Sequence, residues 1–212
     1  MGKFDATADF ENTMGEVQVL IDYAKKNTKN ILRYSTFNKS ALVLLCSKFE
    51  SFLENFFEEF AFYHADISDG IRIDTQMLEH YTNLIIDELT KITLKEKRKP
   101  LIEKMVILHN NEPCDLAEYQ INAKFNYGKH GQKEIQRLIL SFGFEDFVEQ
   151  LNPVFFSRFN SMNYIRNNII HGDATPNLTH QDVISYKDLL VNFAIDMDET
   201  GNKKLETFRN QF

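Results

Sequence analysis

Arg166-Asn167-Asn168-Ile169-Ile170-His171 gathers one permanent cation, two carboxamides and one titratable imidazole into consecutive positions. An imidazole exchanges protons near neutrality, and a guanidinium presents a flat, always-charged fork of donors to phosphate oxygens. RNA cleavage through the 2′-hydroxyl needs both: an acid or base for the proton, and a cation for the charge that builds on the non-bridging oxygens. Such a reaction needs no metal or other cofactor. The sequence has no HExxH, no Cys/His pairs at zinc spacing and no clustered Asp/Glu/His set. A plainer reading stands beside this one, in which His171 ends a helix by bonding a carbonyl and Arg166 pairs with a surface carboxylate.

Helical geometry turns about 100° per residue, so Asn163, Asn167 and His171 form one polar stripe that drifts by roughly 40° at each step. Met162, Ile165 and Ile169 fall on another face, toward a core. Arg166 lies about 100° from Asn167 and about 140° from His171, so in one chain the cation and the imidazole diverge. A two-fold interface would present the same patch twice and could close such a site.

The elements around this stretch read as helices. Phe10, Met14, Val17, Ile21, Ala24, Ile31 and Leu32 recur at three- and four-residue steps, predicting one helix over about 9–34. Ser35-Thr36-Phe37-Asn38 reads as the start signal of the next, over about 39–64, whose apolar face is Leu42, Leu45, Phe49, Phe52, Phe56 and Phe60. Glu50, Glu54 and Glu58 lie on a different flank. No His has a Glu three residues before it, as helical di-iron sites require, so this ladder reads as a solvated face.

Asp66, Ser68, Asp69 and Gly70 break the pattern, and a helix through Met77, Leu78, Tyr81, Ile85 and Leu89 follows. Pro100, after the basic run Lys95–Lys99, is expected at the first position of a helix reaching Leu108. The weak signal over 109–131 contains Gly128-Lys129-His130-Gly131, where two flexible residues flank a cation and an imidazole. The tetrad lacks the spacing and ending of a nucleotide-binding P-loop. Lys129 and His130, with Asn163, are nevertheless candidates for touching a substrate. Later come a helix over 132–142 closed by Gly143, a short one over 144–151, and the helix from Val154 that ends at Gly172. Thr179 and Asp182, spaced like a capping box, open a last helix to Asp198, and the tail past Gly201 is expected to fray.

The 212 residues, 43% hydrophobic, include nineteen Phe and no Trp, a supply of large side chains for helix–helix packing. A net charge of -7 argues against holding nucleic acid through a broad basic face, so any RNA contact would have to be local, brief or built from two chains. Cys46 in an apolar pattern and Cys114 in a turn suggest no disulfide framework. The beginning has no apolar leader pattern, and the longest apolar run, Ala41–Cys46, cannot span a membrane, so a cytoplasmic protein without membrane attachment is expected. The expected architecture is all-α: a single domain over 1–212, with residues 66–131 as an insertion or elaboration between early and late helices.

Arg166-Asn167-Asn168-Ile169-Ile170-His171-Gly172 resembles the R-x(4–6)-H motif of the HEPN superfamily, including the polar residue that follows its Arg. Ser47-Lys48-Phe49-Glu50-Ser51-Phe52-Leu53-Glu54, and less closely the Gly128–Gly131 tetrad, are similar to the stand-alone nuclease branch called MAE_28990/MAE_18760-like. The resemblance implies a HEPN-like helical bundle and a metal-independent endoribonuclease. It makes Arg166 and His171 the catalytic pair with Asn167 in support, and RNA the substrate. It also implies a homodimer with facing motifs, an antitoxin or defence-system partner, and a toxin or antiphage role. The alternative is a non-catalytic HEPN-like module that binds a nucleotide or a protein.

Overall fold

The computed structural model describes residues 2–69, 75–110, 112–115, 121, 123–125, 131–151, 153–172 and 177–211. All regular structure among them is helical: α1 Asp5–Lys26, α2 Ile31–Ile67, α3 Thr75–Lys91, α4 Lys95–His109, α5 Gln132–Ser141, α6 Glu145–Gln150, α7 Pro153–His171 and α8 His180–Arg209. One continuous cluster of buried apolar side chains draws on all of these helices. No helix among the described residues is long and apolar enough to cross a membrane.

The stretch expected as one helix over 9–34 is two. Asn27 turns its carboxamide back to donate to the Tyr23 carbonyl at 2.8 Å, and Asn30 accepts from the Arg33 amide at 3.1 Å, capping α2 there rather than at Ser35–Asn38. Two Asn that bond their own backbone compete with helix continuation. Ile31 and Leu32, which carry the apolar spacing across this break, are 83% and 77% exposed.

Helix α2 is the axis of the bundle. The Phe49 ring meets Phe10 of α1, Phe159 of α7 and Phe193 of α8 at centroid distances of 6.1, 5.9 and 5.3 Å. Such tilted and edge-on pairs suit the ring quadrupole and are how the Phe-rich composition is used. The start of α1 is fastened to this axis by charge. The two Glu59 oxygens accept from the Asp5 and Ala6 amides, each at 2.9 Å, where a helix N-terminus has free donors.

Two further boundaries differ from expectation. Helix α8 does not stop near Asp198: Gly201 is buried inside it, and Phe208 stacks on His64 at 4.0 Å. A Cβ at Gly201 would stand 2.9 Å from Phe56 and 3.1 Å from Phe4, so this glycine permits close approach rather than ending a helix. Helix α4 begins at Lys95, placing Pro100 inside it. There Arg98 turns its guanidinium onto the Ile92 carbonyl, at 2.9 and 2.7 Å, and secures the short link from α3. Both glycine closures are as expected, Gly143 at φ 76 and Gly172 at φ 75, and so is the Thr179/Asp182 capping box.

Candidate active site on helix α7

Helix α7 is anchored along one side and open along the other. Pro153 starts it, at a position where a missing N–H costs nothing. Phe155, Phe156, Phe159, Met162 and Ile165 then enter the core. Arg158 reaches across to donate to the Ser185 carbonyl at 2.9 Å, tying α7 to α8. The helix ends at His171, followed by Gly172 in the left-handed region, where an L side chain would be strained.

Arg166 lies inward. Its side chain is 19% exposed; Nη2 stands 3.7 Å from Oε1 of Glu50 on α2, and Nη1 donates to Oδ1 of Asn167 at 2.9 Å. Nε is buried and has no hydrogen-bond partner among the described residues. Asn167 thus orients the guanidinium, and Glu50 balances its charge. One turn before Glu50, the Cys46 thiol is pushed up to about 12 by burial and by the Glu50 carboxylate, with Arg166 opposing, so it is an inert core thiol rather than a nucleophile.

His171 lies outward. It is exposed and makes no hydrogen bond or ion pair with any described residue. The bundle therefore places Arg166 and His171 on one helix without bringing them into contact. Asn163, half-buried, stands near Gly131: a Cβ built there would be 4.0 Å from Asn163 Nδ2. Asn160 donates to Gln132 just beyond, at 2.8 Å. The glycine end of the tetrad thus abuts the polar stripe of α7, while Lys129 and His130 lie outside the described residues.

Glu50 is the residue that sequence reasoning misplaced. Its ladder serves as a set of tethers: Glu50 holds Arg166, Glu54 accepts from the Phe125 amide at 3.0 Å and from Lys124 at 3.2 Å, and Glu58 pairs with Lys124 at 3.1 Å. What signal there was lies in the neighbours. Buried Phe49 beside it and buried Cys46 one turn earlier put Glu50 at the border of the core. Among the described residues, no three His, Cys, Asp or Glu side chains come together as a possible metal site.

The family model for RiboL-PSP-HEPN matches residues 8–200. The chain belongs to this HEPN family. No curated protein and no solved structure matches it. The HEPN match covers the bundle from α1 into α8 and includes the whole of α7, but does not by itself assign the MAE_28990/MAE_18760-like branch. At that level the HEPN chain is a nuclease-like or RNA-related module. Its α7 supplies two chemically distinct groups, an exposed imidazole at its C-terminal end with no polar partner among the described residues and a guanidinium braced from the neighbouring helix.

Proposed function

We propose that this HEPN protein is a metal-independent endoribonuclease, acting as a toxin or antiphage-defence effector. The observation that carries the reading is the exposed imidazole of His171, without a polar partner among the described residues, at the end of a helix whose other side is locked in the core. His171 takes the proton from the 2′-hydroxyl or returns one to the departing 5′-oxygen. The 2′-oxygen attacks the adjacent phosphorus, the bond to the 5′-oxygen breaks, and a 2′,3′-cyclic phosphate and a 5′-hydroxyl result. Arg166 neutralises charge on the non-bridging oxygens, with Asn167 holding its plane. Asn163, and by the resemblance Lys129 and His130, are assigned to contacting the RNA. Because Arg166 and His171 of one chain point apart, the working unit is a homodimer in which the two α7 ends face each other, held in check by an antitoxin or another defence-system protein.

One observation favours a non-catalytic nucleotide- or protein-binding module instead: the guanidinium is already committed to Glu50, inside a chain of net charge -7. The deciding experiment incubates wild type, His171→Ala and Arg166→Ala with RNA in EDTA and identifies the product ends. Cyclic phosphate from wild type alone is the expected result. Equal cutting by all three would remove the catalytic assignment, and no cutting by any would favour the binding module.

A further inference from the structure

Helix α7 sends one aromatic side chain outward. Tyr164 is 63% exposed, on a helix whose three Phe are buried. It makes no hydrogen bond, ion pair or ring contact with any described residue. Its register is the informative part. Tyr164 precedes His171 by seven positions, which puts the two within about 20° of one another around the helix and about 10 Å apart along it. The backbone of an extended strand covers that span within a nucleotide or two. Asn160 continues the same exposed face.

We infer that Tyr164 is a stacking platform for a nucleobase next to the phosphate handled at His171, so that the strand is held there by an unpaired base. The inference rests on the RNA-cleaving reading above and extends it to how the strand is held. Bases inside a duplex are stacked on each other and cannot lie on a side chain, whereas loops and single strands can splay a base onto an aromatic ring. Charge argues the same way. A protein of net charge -7 gains little from pulling on the phosphate backbone, so affinity has to come from contacts that do not depend on ion pairing. Stacking is such a contact, and it tolerates any base because every base has a π-face. The phenol oxygen is not needed for it.

The test uses a short single-stranded RNA carrying one abasic ribose, moved along the strand, against wild type, Tyr164→Ala and Tyr164→Phe. KM and kcat are measured for each. Binding is measured by anisotropy in the His171→Ala background, where the RNA survives. One abasic position should raise KM roughly ten-fold for wild type, with kcat nearly unchanged. Tyr164→Ala should show that same loss on intact RNA and no further loss at that position, while Tyr164→Phe behaves as wild type. Losses that multiply, or an intact KM in Tyr164→Ala, overturn the inference. So does a shift of Tyr164→Ala to a smaller species on sizing, which would make the ring a subunit contact, a common place for Tyr. Binding with the expected pattern but no cleavage would remove the nuclease and keep the platform. Absence of RNA binding would remove both.

Discussion

Replacing Glu50 with Gln tests whether the carboxylate on α2 holds the guanidinium on α7. Gln keeps the shape and removes the charge. The two side chains are 23% and 19% exposed and approach to 3.7 Å, so the pair is neither a surface bridge nor a fully dry one. Exposed pairs contribute about 0.2–1 kcal/mol, and breaking a buried pair costs about 3–5 kcal/mol. Partial burial and a long contact place this one at about 1–2 kcal/mol, part of it the cost of leaving Arg166 with fewer acceptors when its Nε already has none. For a chain of 212 residues that corresponds to a fall in Tm of roughly 2–8 °C. Urea unfolding of Glu50→Gln, Arg166→Gln and the double variant isolates the pair, with an expected coupling of about 1 kcal/mol. A coupling within about 0.3 kcal/mol of zero would refute the tether and return Glu50 to the solvated face that its spacing suggests.

His80 is buried, stacks on Phe142 at 4.1 Å and leaves Nε2 without a partner; burial, aided by the Arg137 cation, lowers its pKa from 6.5 to about 4. The unfolded chain therefore takes up a proton that the fold resists. The stability tied to this group is complete above about pH 6.5 and is lost as pH falls from there through about 4, for a total approaching 3 kcal/mol. Urea midpoints across that range should slope less in His80→Leu than in wild type, and equal slopes would assign the pH dependence elsewhere. At Gly201, Ala would add about 1 kcal/mol of helix propensity but push a methyl to 2.9 Å from Phe56 and 3.1 Å from Phe4, both fixed in the core. Overpacking of about 1–3 kcal/mol outweighs the gain, so Gly201→Ala should melt lower, and a higher Tm would mean that the rings yield.

Local chemistry explains which parts of the fold were legible in the sequence. Gly143 and Gly172 close their helices as read, because a left-handed residue at a helix end is a property of the chain there and of nothing distant. The Thr179/Asp182 box is local for the same reason. The errors all involve a distant partner or a competing local bond. Apolar spacing ran across Asn27–Asn30 into Ile31 and Leu32, so periodicity outvoted two side-chain caps. Gly201 had the look of a stop in a polar segment, and only the rings of Phe56 and Phe4 reveal it as a packing position. A Glu ladder at four-residue steps is the same string whether it faces water or another helix. Glu50 could not be paired with Arg166 until α2 and α7 were side by side.

That pairing turns the divergence of Arg166 and His171 into a question with two physical answers. In the proposed reaction, a phosphate at His171 would draw its cation either from Arg166 of the same chain, released from Glu50, or from Arg166 of a second copy. If release is needed, loosening the pair lowers its cost, and Glu50→Gln should cut faster. If the site is shared, the decisive experiment is a mixture of His171→Ala and Arg166→Ala chains, each inert alone. A mixed dimer then holds one site with both groups intact. Random reassortment should restore about a quarter of wild-type activity, since half the dimers are mixed and each has one working site of two. About 140° of helix separates the two groups within one chain, and because both sit on the same regular helix, turning α7 as a whole, which Arg158 and its buried Phe residues resist, would not change that angle. The shared site is therefore the expected answer, and a mixture as inert as its parts would refute it.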